Sequence, residues 1–397
     1  MDKGSDEMSS AESNLFWKLT YFLVVEQDYQ MIRLFEDRQE IFLENLSNKS
    51  AQLIRIIQED LTWGNRLRRD IQRVSAQGES VRKQLGKRNL TVLNIYLSPH
   101  PPVDDYERHM KAPFYFPKGK RTKVTSILYS QDQTVQARHQ LDRFFPGKLA
   151  PDFFEACSDG EAAAYQRAVV AYSIKKNKED KQLFNYAAPF FSYLFIGIQV
   201  AVFLLMELSG GSTNYATLIQ FGAKYNPLIL EGEWWRFFTP MFLHIGLLHL
   251  LMNTVTLYVL GTVVERIYGR LRFLFLYIFA GFAGTLASFL TNMNLSAGAS
   301  GAIFGCFGAL LYFGMMHRRQ FFRTMGMNVI FIIIINLVFG FTVPGIDNAG
   351  HIGGLIGGFL AAGTVHLPKQ GRRGQQLAFL AAAVGITAGV LYLGFHQ

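Results

Sequence analysis

The 397-residue chain is half hydrophobic, carries 35 Phe and has a formal net charge of +9, and its apolar content, concentrated towards the C-terminus, exceeds what one soluble domain normally needs. The charge divides unevenly: 28 basic against 25 acidic residues precede Tyr186, and 11 against 5 follow it. Nine of the later basic residues fall in three groups, Arg266, Arg270 and Arg272, then Arg318, Arg319 and Arg323, then Lys369, Arg372 and Arg373; charges placed between apolar spans fit membrane orientation and argue against a nucleic-acid surface.

The polar start, Met1-Asp2-Lys3-Gly4-Ser5-Asp6-Glu7, has no apolar signal region, so the first membrane helix is expected to serve as an uncleaved anchor. Residues 1–183 mix two periods. Gln30 to Phe35, Glu40 to Glu44, Leu53 to Ile57 and Leu90 to Leu97 read as strands, while Trp63 to Leu85 and Gly160 to Lys178 read as helices. Lys123 to Ser130 adds a strand and Thr134 to Phe145 a helix, beyond Pro99-His100-Pro101-Pro102 and a basic loop from Lys118 to Lys123. An α/β or α+β cytosolic domain is expected here, with a regulatory or substrate-recruiting role and no identified partner. Arg66, Arg68, Arg69 and Arg73 share one helix, but acidic residues interleave nearby, which fits a solvated face or attraction to anionic lipid. His100, His109 and His139 with Asp104, Asp105 and Glu107 match no metal-ligand spacing, and Cys157 and Cys306 form no disulfide or zinc pattern. No metal or cofactor is expected.

A bilayer core takes roughly 20 apolar residues per helix. Seven stretches approach this: Ala188 to Leu208, Gly246 to Val264, Leu271 to Leu290, Gly298 to Met316, a shorter Met327 to Thr342, Ile346 to His366, and Gln376 to Phe395. With the N-terminal domain in the cytoplasm, the three basic groups fall inside, after spans two, four and six. The outer loops then carry only Lys224 and Arg236 as basic residues, as the positive-inside rule requires.

That orientation sets four polar residues at similar depth. Ser300, in Gly298-Ala299-Ser300-Gly301, opens span four, and His351 lies about five residues into span six, roughly 7 Å down at the helical rise. His249 and Asn253 descend the same side of span two, one face apart by i,i+4. Polar side chains at membrane depth are costly and mark function. A Ser hydroxyl becomes a nucleophile when a base takes its proton, and imidazole suits that task near neutral pH. No carboxylate lies in the outer halves of the spans to orient His351; Asp347 is placed to cap its helix. The pattern is therefore a dyad, with the Ser300 N–H, the Asn253 amide and the His249 imidazole as oxyanion donors, each typically worth about 3 kcal/mol. Gly301 with Gly305, and Gly350, Gly353, Gly354, Gly357 and Gly358 in overlapping pairs, allow the helices to approach closely.

These residues, taken with Trp235-Arg236 and His244, and with Gly350-His351-Ile352-Gly353-Gly354, resemble the rhomboid intramembrane serine proteases over roughly Ala188 to His366. The resemblance implies a six-helix core at residues 184–366, with Ser300 as nucleophile, His351 as general base, and His249 and Asn253 at the oxyanion hole. It implies supporting places for His244, Gly298, Gly301 and Phe304, structural ones for Arg236 and Glu265, and substrates that are transmembrane helices cleaved near the outer face. Phe304 stands where some relatives carry a tyrosine stacked on the base. The seventh helix, within residues 367–397, and the N-terminal domain look like the larger Bacillus-type rhomboids, and so imply a bacterial cell membrane; seven spans from a cytoplasmic N-terminus put the C-terminus outside. The alternative is a catalytically silent rhomboid-like protein that binds membrane helices; the intact Ser300 and His351 weigh against it.

Overall fold

The computed structural model describes residues 10–150, 152–155, 157–343 and 345–396. It divides into two compact units, Met1–Glu179 and Asp180–Gln397.

In the first unit, helix α1 (Ser10–Tyr21) precedes strands β1 (Gln30–Phe35), β2 (Glu40–Glu44) and β3 (Leu53–Gln58). Helix α2 (Gly64–Gln84) then crosses to β4 (Leu90–Leu97), followed by β5 (Phe114–Tyr115), β6 (Thr122–Tyr129), α3 (Thr134–Asp142) and α4 (Asp159–Phe184). The six strands form one sheet in the order β1-β2-β3-β4-β6-β5. β3, β4 and β6 run parallel, and the outer pairings are antiparallel. This is the α/β alternative of the two expected, because α2 lies between parallel neighbours and covers one face. Leu53, Ile57, Val92 and Val124 pack with Leu67, Ile71 and Val74 of α2, while Ile54, Ile56, Leu93 and Ile127 pack with Leu15, Phe16 and Leu19 of α1.

One charged group is buried in this sheet. Arg55 is fully buried on β3, where its guanidinium donates to Glu40 at 2.5 Å, Asp70 at 2.6 Å and Asn94 at 3.1 Å. Tyr96 adds a hydrogen bond to Asp70 at 2.6 Å. Two carboxylates around one guanidinium offset a desolvation cost that a single partner would not.

The second unit is helical. α5 (Phe191–Leu208) leads into α6 (Tyr215–Gln220) and α7 (Asn226–Leu230), then α8 (Leu247–Thr256), which continues through a π turn into α9 (Thr262–Tyr268). There follow α10 (Arg270–Thr291), α11 (Ser300–Met316), α12 (Arg318–Thr324), α13 (Gly326–Thr342), α14 (Asn348–Val365) and α15 (Arg373–Phe395). Helices occupy all seven predicted stretches. Among the described residues four are long and apolar enough to cross a membrane: Phe191–Leu208, Leu247–Tyr268, Arg270–Thr291 and Arg373–Phe395. The α12 and α13 pair, bent by 72°, would make a fifth.

Glu265 explains how the second span meets the first. Its carboxylate accepts from the backbone N–H of Phe190, Phe191 and Ser192 at 2.8 to 2.9 Å and from the Ser192 hydroxyl at 2.7 Å. A helix N-terminus leaves such donors without partners, and here a neighbouring helix supplies the acceptor. Arg236 serves the connecting segment in the same way, bonding Glu233 at 2.6 Å and the carbonyls of Ile219 and Ala223 at 2.9 Å.

Candidate active site

Helices α10, α11 and α14 meet through residues without side chains. A Cβ added at Gly354 would collide with the Gly301 carbonyl, and one at Gly358 with the backbone of Gly305. On α10, Gly284 lies against both partners at once, where a Cβ would stand 2.7 Å from the Gly350 oxygen and 3.2 Å from the Gly301 Cα. Small residues bring helix axes close enough for short polar side chains to meet.

Ser300 and His351 meet at this junction, with 2.8 Å between Ser300 Oγ and His351 Nε2. The hydroxyl needs this distance to hand its proton to a ring nitrogen. Phe304, one turn below the serine, stacks on the imidazole with ring centroids 4.3 Å apart and planes 9° from parallel. Packing against a flat ring fixes the imidazole plane without a hydrogen bond. The other ring nitrogen, Nδ1, has no partner among the described residues. Asp347 is occupied elsewhere: it caps α14 by accepting from the Gly350 N–H at 3.1 Å and also bonds the Ser288 hydroxyl.

Ser300, His351, His249, Asn253, Gly298 and Phe304 line one cavity of about 1030 Å³. Gly301 borders the same space. The Asn253 amide donates to the His249 carbonyl at 2.9 Å; its nitrogen carries two hydrogens, so one remains for another acceptor. Gly298 takes φ +146°, a backbone that side chains rarely adopt, and a Cβ there would stand 2.7 Å from the His249 ring. His244 lies outside the cavity lining, buried, with its ring 5.3 Å from that of His249 and edge-on to it. Arg236 and Glu265 stand apart from the cavity in the bonds already described.

A rhomboid-domain family model matches residues 231–368. Rhomboid protease GluP of Bacillus subtilis (strain 168) is 43% identical over 386 residues, a match covering 96% of this chain and 75% of GluP. The chain belongs to the rhomboid family. Rhomboid protease AarA of Providencia stuartii is 30% identical to this rhomboid over 226 residues, half of this chain and 79% of that protein. RHOMBOID-like protein 5 of Arabidopsis thaliana is 39% identical over 148 residues, 36% of this chain and 48% of that one. The GluP match extends through the N-terminal unit of the rhomboid.

Two participants escape sequence reasoning. Gly284 belongs to no glycine–glycine pair of the kind read from α11 and α14, although Ala280 and Ser288 stand four residues to either side of it; its contacts lie on two other helices. Lys224 reads as an outer-loop charge, yet it is fully buried. Its ammonium bonds the carbonyls of Asn292 and, at 3.0 Å, Asn294, and its backbone bridges Ser296. It thereby ties the segment after α6 to the stretch leading into Ser300. Only the spatial neighbours reveal that role.

Proposed function

We infer that Ser300 and His351 carry the peptide hydrolysis of this rhomboid, a multi-pass intramembrane serine protease. The observation that carries the reading is the 2.8 Å contact between Ser300 Oγ and His351 Nε2, at the wall of a cavity large enough for an extended peptide. As the Ser300 oxygen bonds to the scissile carbonyl carbon, His351 Nε2 takes the hydroxyl proton. The carbonyl oxygen becomes an oxyanion, for which the Ser300 N–H, the second hydrogen of the Asn253 amide and the His249 ring are the donors. The C–N bond then breaks, and His351 returns its proton to the leaving amine. Water, deprotonated by the same imidazole, releases the acyl group and restores Ser300. Phe304 holds the base ring, and with Nδ1 unpaired among the described residues the pair works as a dyad.

The substrates in this reading are transmembrane proteins cut near the outer face. The spacing of the three basic groups supports an N-terminus in the cytoplasm and a C-terminus outside, and the likeness to GluP supports a bacterial cell membrane. Residues 184–366 would form a six-helix core, with the helix in 367–397 added to it and 1–183 as a separate cytosolic domain. The division of the described chain near Glu179 supports that last boundary. The test is cleavage of a model transmembrane substrate in proteoliposomes. Ser300→Ala is expected to abolish it while helix content and melting temperature stay near those of the native protein, and retained cleavage would overturn the assignment.

A further inference from the structure

The N-terminal unit has a groove of its own, of about 350 Å³, along the outer edge of β6. β5 covers that edge only as far as Phe114 opposite Val124. The bond from the Phe116 N–H to the Thr122 carbonyl shows that the even-numbered residues of β6 direct their backbone groups outward. Ser126 and Leu128 therefore direct N–H and C=O groups from the sheet edge towards the groove; both residues are largely covered by its walls, but no strand pairs with them there among the described residues. Strand edges left without a partner are normally blocked, because they invite another strand.

The walls suit a guest strand. α3 packs on one face of the sheet through Ala137 and Leu141, and Tyr106, Met110 and Phe114 pack on the other. The edge thus lies in a trough between two layers, which Tyr106 and Gln133 tie together through hydrogen bonds of 2.8 and 3.0 Å. Thr125 to Leu128 on its floor would span about 13 Å, room for roughly four residues of added strand. Its charge is one-sided: Lys111, Lys123 and Arg143 line it against the single carboxylate of Glu107. Lys118, Lys120 and Arg121, exposed in the turn between β5 and β6, carry the positive field beyond its end. We propose that this groove binds an extended acidic segment of another protein as an added strand on β6. Main-chain bonds to Ser126 and Leu128 give affinity, and the flanking cations select acidic side chains. The basic loop from Lys118 to Lys123, which the serine chemistry does not use, thereby acquires a role.

The test uses the full chain in phosphatidylcholine nanodiscs and a fluorescein-labelled heptapeptide of alternating glutamate and valine, followed by fluorescence anisotropy. Saturable binding is expected. It should weaken at least about tenfold when alternate peptide amides are N-methylated, which leaves the peptide charge intact and does not alter the protein. It should weaken similarly in a Lys111→Glu, Lys123→Glu, Arg143→Glu variant. Absence of saturable binding, or equal binding of the methylated peptide, would overturn the proposal. So would binding of phosphatidylserine vesicles in place of the peptide, or a solution dimer abolished by Ser126→Pro, since either gives the edge a different occupant.

Discussion

Replacing Gly284 with alanine tests whether helix spacing sets the chemistry. The new Cβ would stand 2.7 Å from the Gly350 oxygen, against 3.4 Å for an ordinary contact, so α14 must retreat from α10 by about 0.7 Å; the 3.2 Å approach to the Gly301 Cα presses on α11 as well. If that displacement passes directly into the pair, the 2.8 Å separation of Ser300 Oγ and His351 Nε2 opens to about 3.5 Å, outside the reach needed for proton transfer. A misplacement of about 1 Å can cost about 100-fold in rate, so a loss of roughly 10- to 100-fold in kcat is expected. Overpacking should destabilise the fold by about 1–3 kcal/mol, which leaves the protein measurable. Substrate cleavage in proteoliposomes reads the rate, and Gly385→Ala is the control, since a Cβ there meets nothing within 4 Å. Native kcat in Gly284→Ala would show that the spacing of α10, α11 and α14 does not set the Ser300–His351 contact.

Phe304→Ala removes the ring stacked on His351; a lost aromatic contact of about 0.5–1.5 kcal/mol predicts a fall in kcat of about 2- to 12-fold, while Phe304→Tyr keeps the stack and the rate. An Ala variant with native kcat would remove Phe304 from the account. In the N-terminal unit, burial alone would raise the Asp70 carboxyl, but the Arg55 charge, hydrogen bonds from Tyr96 and Arg55, and Arg73 together hold it below its ordinary value. A carboxylate depressed in this way stabilises the fold above its unfolded pKa, near about 4, and that contribution disappears as pH falls through the folded pKa. Protection factors of the β3 and β4 amides, taken relative to their intrinsic exchange rates, should therefore fall below about pH 4. Asp70→Asn should flatten that acid limb and cost about 3 kcal/mol near neutrality by breaking a buried pair; an unchanged limb would contradict the assignment.

Periodicity exposed much of this architecture, and its failures have physical causes. β1, β2 and β4 follow the sequence pattern to the residue, since short apolar runs rich in β-branched and aromatic residues between turn signals mark strands even when both faces are buried. α1 went unread although Leu15, Phe16 and Leu19, with Phe22 and Leu23 of the π turn that follows it, are buried at the spacing of one helix face; the apolar Trp17, Tyr21 and Val24 beside them blur that period. The second span runs to Tyr268, beyond the expected Val264, because Glu265 looks like a loop charge until its task at the start of α5 is seen. Ser209 to Ile245 read as one long loop but folds into α6, α7 and two short turns, in pieces of four to six residues too brief to carry a pattern. At the site, Ser300 and His351 were legible because intramembrane polarity is rare, and the glycine pairs because of their spacing by four; Gly284 lacks a glycine four residues away on its own helix, and Lys224 acts through contacts that no linear spacing encodes.

Labelling with a fluorophosphonate, followed by peptide mapping, asks whether Ser300 is the nucleophile that His351 activates. Covalent addition at Ser300 is expected in the native rhomboid, with a labelling rate lower by on the order of 1000-fold in His351→Ala. Addition at another residue, or undiminished labelling of Ser300 without His351, would contradict that assignment.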